Sequence, residues 1–427
     1  MAWNFRPKWV FRGSFGVSTV DLLSPGTNLA FEEYYATAFI ASPPGDPRIA
    51  FLLSKGPPTI PYTVNPDGTV PFVGQNYAGR GATWYDPNMR MPYIMSWSGG
   101  FQWEFAGTWL LETVYQGSSG VGLLNSWDLN VIPLNISRDI SELDRIYQQT
   151  QNFKPYTQFG SIRHFGNYGH NSYHGITFRT EKRYSHGMTL NTFYTYSKTL
   201  DESDGDGGAG GITFYNRRLE KGRAGYDLTH RFVSVFTWDL PVGAGRRFMN
   251  AKGVKNAILG GWQLNWLNSL QTGQPFTVGS AGSPNRYLPG SQRPNILAPF
   301  DEAKVEGWTM GPHRFPTAAQ NPYLKMEAFD YPAAYATGNL GRNIFNSPTL
   351  YWPQASLGKE WRIGERARFM LRWDMSNVFK KPQFGPPSST FDKRSPGNFA
   401  RFTTGEIGGF AAIGTKFHSI IVMRLEW

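Results

Sequence analysis

His418-Ser-Ile-Ile-Val-Met-Arg-Leu-Glu-Trp427 closes the sequence and decides its fold class. Ile421, Met423, Leu425 and Trp427 fall on one side of an extended segment, and Val422, Arg424 and Glu426 on the other. Side chains alternate across a strand with period two, so the segment reads as a strand with one oily face. A spanning strand of an outer-membrane barrel has this length and this alternation, about ten residues with an apolar outer side. Ile421, Met423, Leu425 and the terminal Trp427 also form the kind of signal that barrel-assembly machinery recognises. The competing reading is the edge strand of a soluble sheet.

Working outward, composition favours the membrane. The chain has 427 residues and no cysteine, which excludes a disulfide framework and thiolate metal sites. Aromatic residues make up 16% and charged residues 17%, against about 25% charged in ordinary soluble proteins. Mean hydropathy is -0.41, and no run of about 18 apolar residues suggests a transmembrane helix. A barrel reconciles these properties, because only alternate residues of each strand face lipid. The net charge is +11, yet the basic residues are scattered and no zinc-finger or RNA-recognition signature occurs, so no nucleic-acid partner is expected.

Period-two reading gives ten strands: 8–17, 93–105, 108–116, 172–184, 188–200, 231–240, 261–271, 355–363, 366–376 and 418–427. Tight turns at Ala106-Gly107, Ser185-His186-Gly187 and Gly364-Glu365, and a medium one at 241–260, alternate with long connections. Short periplasmic turns and long external loops are the rule in transmembrane barrels. The expectation is an all-β, antiparallel, partial transmembrane barrel of about 10–14 strands over residues 1–427, in a Gram-negative outer membrane. Trp9, Trp97, Trp103, Trp109, Trp238, Trp262, Trp266, Trp361 and Trp373 are expected on its lipid face. Gln102, Glu104, Arg366, Arg368, Arg372 and Asp374 are expected to line the lumen.

Arg90-Met-Pro-Tyr-Ile-Met-Ser-Trp97, Glu112–Gly120, Asn171–Arg183, Tyr194-Thr-Tyr-Ser-Lys-Thr-Leu-Asp201, Asp227–Phe232, Gly260–Leu264, Gln271–Phe276, Asn339-Leu-Gly-Arg-Asn343 and Asn377–Phe379 form an ordered set of segments. Together they resemble Oar-like TonB-dependent transporters. Order and spacing match over residues 90–427, and residues 1–89 match loosely. The resemblance implies the C-terminal part of a barrel of about 22 strands, with external loops that capture a peptide, glycan or siderophore. The family's signal peptide and TonB-contacting plug have no counterpart in Met1–Lys8 or beyond, so the sequence is expected to be a piece of a longer protein. Partners implied are outer-membrane lipid, the assembly machinery and, only through a plug, the TonB system. The rival is a non-transporting structural or adhesin-like barrel that presents long loops.

Sites of chemistry are sparse. Asp201-Glu-Ser-Asp-Gly-Asp206 is dense in oxygen ligands suited to calcium, without the EF-hand spacing. His164, His170, His174 and His186 cluster in sequence but are expected to be separated in space, against a zinc site. No nucleophile elbow, Walker loop or His-Glu-x-x-His occurs. A non-enzymatic protein without a required cofactor is expected.

Overall fold

The structure is a computed structural model that describes residues 1–20, 81–134, 136–204, 211–250, 252–283, 287–288, 292–308, 322–381, 383–402 and 417–427. Eleven strands form one antiparallel meander: β1 (Ala2–Arg6), β2 (Trp9–Thr19), β3 (Tyr93–Phe105), β4 (Trp109–Asp128), β5 (Ile162–Ser185), β6 (Met188–Asp201), β7 (His230–Asp239), β8 (Trp262–Gln271), β9 (Leu350–Ile363), β10 (Ala367–Ser376) and β11 (His418–Glu426). Each pairs with its neighbours in chain order, and β1 and β11 form the two open edges. Ten of the eleven are the strands expected from alternation; Ala2–Arg6 is additional.

Turn chemistry fixes the register. Ala106 and Gly107 have φ of 52° and 70°, and His186 and Gly187 have 53° and 75°. Two successive residues at positive φ make the type I′ turn whose twist matches that of the flanking strands. Register then aligns like with like across the sheet. Phe101, Thr113, Phe178, Tyr194, Phe232, Leu270 and Tyr351 are successive cross-strand partners from β3 to β9. Leu357, Trp373 and Ile421 continue the same face to β11, as do Trp361, Phe369 and Leu425. All nine tryptophans assigned to this face lie on it, and none is buried. A soluble sandwich would cover them with a second layer.

The buried core lies elsewhere. One cluster joins Phe276, Val278, Leu324, Phe329, Phe345, Phe391 and Phe399, all in the connections 272–349 and 377–417. A second joins Ile132, Leu143, Ile146, Tyr287 and Leu288. Here helix α1 (Ile140–Gln148), capped by Asp139 through a 2.8 Å bond from the Ser141 amide, turns Leu143 and Ile146 inward. The described parts of the connections 129–161, 272–349 and 377–417 are therefore folded into a packed cap rather than left as bare loops. Strands β4 (20 residues) and β5 (24 residues) run well beyond the roughly 9–11 residues needed to span a bilayer and enter this cap after a bulge at Gly122, where φ is +64°. Residues 82–85 pair in parallel with 162–165 to extend it.

At the opposite, short-turn rim, aromatics pack in series. Trp9 stacks on Trp103 at 5.1 Å, Trp103 meets Phe105, and Phe105 meets Trp109. Trp262 meets Trp361 edge-on at 6.2 Å. Two lysines share this oily face. Lys182 Nζ donates to the Ser185 and Met188 carbonyls at 2.7 and 3.0 Å. Lys359 Nζ donates to the Ala257 carbonyl at 2.6 Å, at the end of a short helix (Val254–Leu259), and lies over the Trp361 ring at 5.0 Å. Each lysine keeps its stem along apolar surface and its charge among rim carbonyls.

Candidate functional site

The second face of the sheet is polar from β2 to β11. Ser14 and Ser98 share a 2.8 Å hydrogen bond, Thr177 and Thr195 one of 2.9 Å, and Thr237 and Asn265 one of 2.8 Å. Gln102 donates to Glu112, and Arg179 lies 3.6 Å from Glu112 and 2.7 Å from Glu181. Cross-strand pairs of this kind stabilise a sheet whose face is not packed on a core.

Gln102, Glu104, Arg368, Arg372 and Asp374 all fall on this polar face by register. Glu104 lies 4.0 Å from Arg183, Arg368 lies 3.9 Å from Glu360, and the Arg372 guanidinium holds Asp374 at 2.9 Å. Arg366 sits in the turn before β10 and is not part of the wall. Gln102 and Glu104 on β3 are separated from the β10 residues by six intervening strands, so these residues do not converge on one point.

A concavity of about 460 Å³ opens on the same face beneath the cap. Gln116 and Ser118 of β4, Tyr173 of β5, Thr199 of β6 and Arg231 of β7 contribute to its wall. Tyr226, from the connection 202–229, overhangs it. Tyr173 can lie flat against the wall because Gly175 follows: a Cβ there would approach the Tyr173 hydroxyl to 2.4 Å. The sequence shows the hydroxyl alternation of β6, but the overhang depends on a loop whose path has no periodic signal.

The cap is fastened to the wall by arginines. Arg342 donates to the backbone carbonyls of Asp201 at 2.9 Å and Glu220 at 2.8 Å, pairs with Asp204 at 2.9 Å and binds the Asp201 carboxylate. Arg223 donates to the Asn343 and Ile344 carbonyls at 3.0 and 2.8 Å. Arg293 pairs with Glu220 at 3.0 Å. Asp227 accepts from the Thr199 amide at 2.7 Å. The segments Tyr194–Asp201, Asp227–Phe232 and Asn339–Asn343, far apart in sequence, thus meet at one node. Burial raises the Asp201 carboxyl to about 6, against the opposing pull of Arg342. The Asp201 side chain is only 4% exposed, and its Oδ2 has no hydrogen-bond partner.

This node engages two of the acidic residues that suggested calcium. Asp201 and Asp204 turn to Arg342, Glu202 lies 3.9 Å from His170, and Asp206 is outside the described residues. His164, His170 and His174 all lie on β5, and His186 is in the turn after it. His164 stacks on Trp84 and bonds Tyr168 at 2.6 Å, while His174 bonds Tyr115 at 2.7 Å. They do not converge, and among the described residues no group of three or more metal-ligating side chains forms.

Comparison with known proteins gives a family match over residues 1–410, to a profile described as an outer membrane beta barrel domain. The match starts at residue 1, earlier than the sequence motifs alone reached. A comparison with curated protein sequences finds no match. Two solved structures are similar. One is the outer membrane transporter YddB from Escherichia coli, with 9% identity and a TM-score of 0.36, over 81% of this chain and 34% of that one. The other is the FrpB iron transporter from Neisseria meningitidis, F3-3 variant, with 11% identity and a TM-score of 0.38, over 100% of this chain and 37% of that one. The chain spans about a third of the length of these two proteins.

Proposed function

The chain belongs to the outer membrane β-barrel domain family, and from that premise we propose that it forms the C-terminal part of the wall of a TonB-dependent transporter, non-enzymatic and Oar-like. It is an outer-membrane β-barrel protein. The observation that carries the proposal is the register: a predominantly apolar and aromatic face backs a predominantly polar face from β2 to β11. In a bilayer the first face meets hydrocarbon and the second encloses water. Gln102, Glu104, Arg368, Arg372 and Asp374 then line the lumen, and Arg366 lies at its periplasmic mouth. The exposed Ile421, Met423, Leu425 and Trp427 on the β11 edge are offered to the assembly machinery. Strand edges cannot remain unpaired in lipid, so β1 and β11 are completed by further strands of the same wall. The folded cap is the external surface that receives solute, and energised release requires a plug joined to this wall.

The experiment uses the absence of native cysteine. In cells expressing the complete transporter, Arg372→Cys should react with a charged, membrane-impermeant maleimide and Leu371→Cys should not. Collapse of the proton-motive force should slow the reaction at 372. Equal reaction at both positions refutes the facing. Reaction at 372 that is indifferent to the proton-motive force supports the rival, a barrel that presents its loops without transport; the packed cap is the observation that favours that second reading.

A further inference from the structure

We propose that the concavity under the overhang of Tyr226 is a binding site for an acidic oligosaccharide; the assignment rests on the reading of the polar face as lumen. Its volume, about 460 Å³, lies within the range of about 300–1,000 Å³ common to small-molecule sites. The lining is hydroxyl and amide with aromatic rings, the mixture that suits a solute with many hydroxyls and apolar ring faces. Several of these groups are uncommitted: the side chains of Gln116, Ser118, Tyr173, Thr199 and Tyr226 make no hydrogen bond to any described residue, so their donors and acceptors are open to a ligand. Tyr173 and Phe193 offer ring surface on the wall, and Tyr226 on the overhang.

The charge selects an acidic ligand. Arg231 lines the concavity and forms no ion pair or hydrogen bond through its guanidinium with any described residue. Other arginines of this region, Arg223, Arg293 and Arg342, are all engaged in fastening the cap. No carboxylate lines the concavity. Acids of the adjoining node are engaged: Asp227 accepts from the Thr199 amide and from the Thr229 hydroxyl at 3.3 Å, and Asp201 and Asp204 are held by Arg342. One unneutralised guanidinium among neutral polar groups favours a carboxylate on the ligand, which it can hold in a bidentate grip.

The test is calorimetric titration of the complete, detergent-solubilised protein with trigalacturonate, neutral maltotriose and citrate. Trigalacturonate should bind about tenfold more tightly than maltotriose, the worth of one charged hydrogen-bonded contact, and more tightly than citrate, which has charge without sugar rings. Arg231→Gln should erase the preference for trigalacturonate over maltotriose, and Tyr226→Ala should weaken both sugars. The proposal is overturned if neither sugar binds, if citrate matches trigalacturonate, or if Arg231→Gln leaves the preference intact. None of these outcomes touches maleimide reactivity at position 372, so failure of this site is distinguishable from failure of the transporter reading.

Discussion

Replacing Arg342 by methionine should unfasten the cap while sparing the wall. Arg342 keeps a side-chain exposure of 9% and meets Asp201, Asp204 and two backbone carbonyls. Methionine fills much of the volume but strands the Asp201 carboxylate without a counter-charge. Removing one partner of a buried pair costs about 3–5 kcal/mol, which corresponds to a rise of about 10²–10⁴-fold in the open population of the cap. Protease cleavage of the 202–229 and 272–349 segments in whole cells reads that population, provided opening and closing are fast relative to cleavage. Heat-modifiable gel migration should stay unchanged, because the strand ladder does not involve Arg342. Adding Asp201→Asn should recover a large part of the protection, since it removes the stranded charge. The sign of the pH effect follows from the raised pKa of Asp201. The neutral acid is the better-tolerated buried form, so the stability this group contributes is complete below its unfolded value of about 3.9 and is lost as pH rises through about 6. In Arg342→Met the lowering influence is gone, so cleavage at pH 7.5 should exceed that at pH 5 by more than in the parent. Equal protection of parent and variant at both pH values, or no recovery with Asp201→Asn, would refute the role assigned to this node.

Two further outcomes are expected from the wall. Met375→Arg, opposite Ala355 midway up the oily face, puts a charge there at a cost of about 2–4 kcal/mol at the bilayer midplane and should block assembly into the outer membrane, whereas Arg372→Leu should assemble; fractionation and heat-modifiability check both, and equal assembly would defeat the facing. Gly117→Ala would bring a Cβ to 2.4 Å from the Trp97 indole; overpacking of this kind costs about 1–3 kcal/mol, so the variant should lose its folded, fast-migrating form at lower temperature, while Gly16→Ala, with nothing within 4 Å, should not.

The wall was legible in the sequence because both its faces are simple environments. Every second residue of Tyr93–Phe105 answers to the same surroundings, so period two survives along the whole strand. Ala2–Arg6 was missed because five residues carry too little alternation to register. The upper parts of β4 and β5 were missed for a different reason: beyond Gly122 the pattern shifts at a bulge, and Ser126 and Trp127 become buried side by side. The cap was invisible as a packed body, since Phe329, Phe345, Phe391 and Phe399 gather from segments with no regular spacing. Arg342 lay inside a segment singled out by family resemblance, but nothing local tells that its guanidinium meets Asp201, 141 residues earlier. Arg231 carries no sequence signal either; what marks it is the lack of a partner, which only the three-dimensional arrangement reveals.

The two rim lysines turn the outer surface into a depth gauge. From Lys182 the next residues up the same side of β5 are Thr180, Phe178, Ile176 and His174, and from Lys359 on β9 they are Leu357, Ala355, Pro353 and Tyr351. Eight residues at about 3.3 Å each make about 26 Å along the strand, and a barrel tilt of about 35–45° reduces that to roughly 20 Å of vertical height. A host bilayer much thicker than this would have to thin around the protein or drown both ammonium groups. The molecule therefore carries its own preference for a thin membrane, set by where two lysines stand.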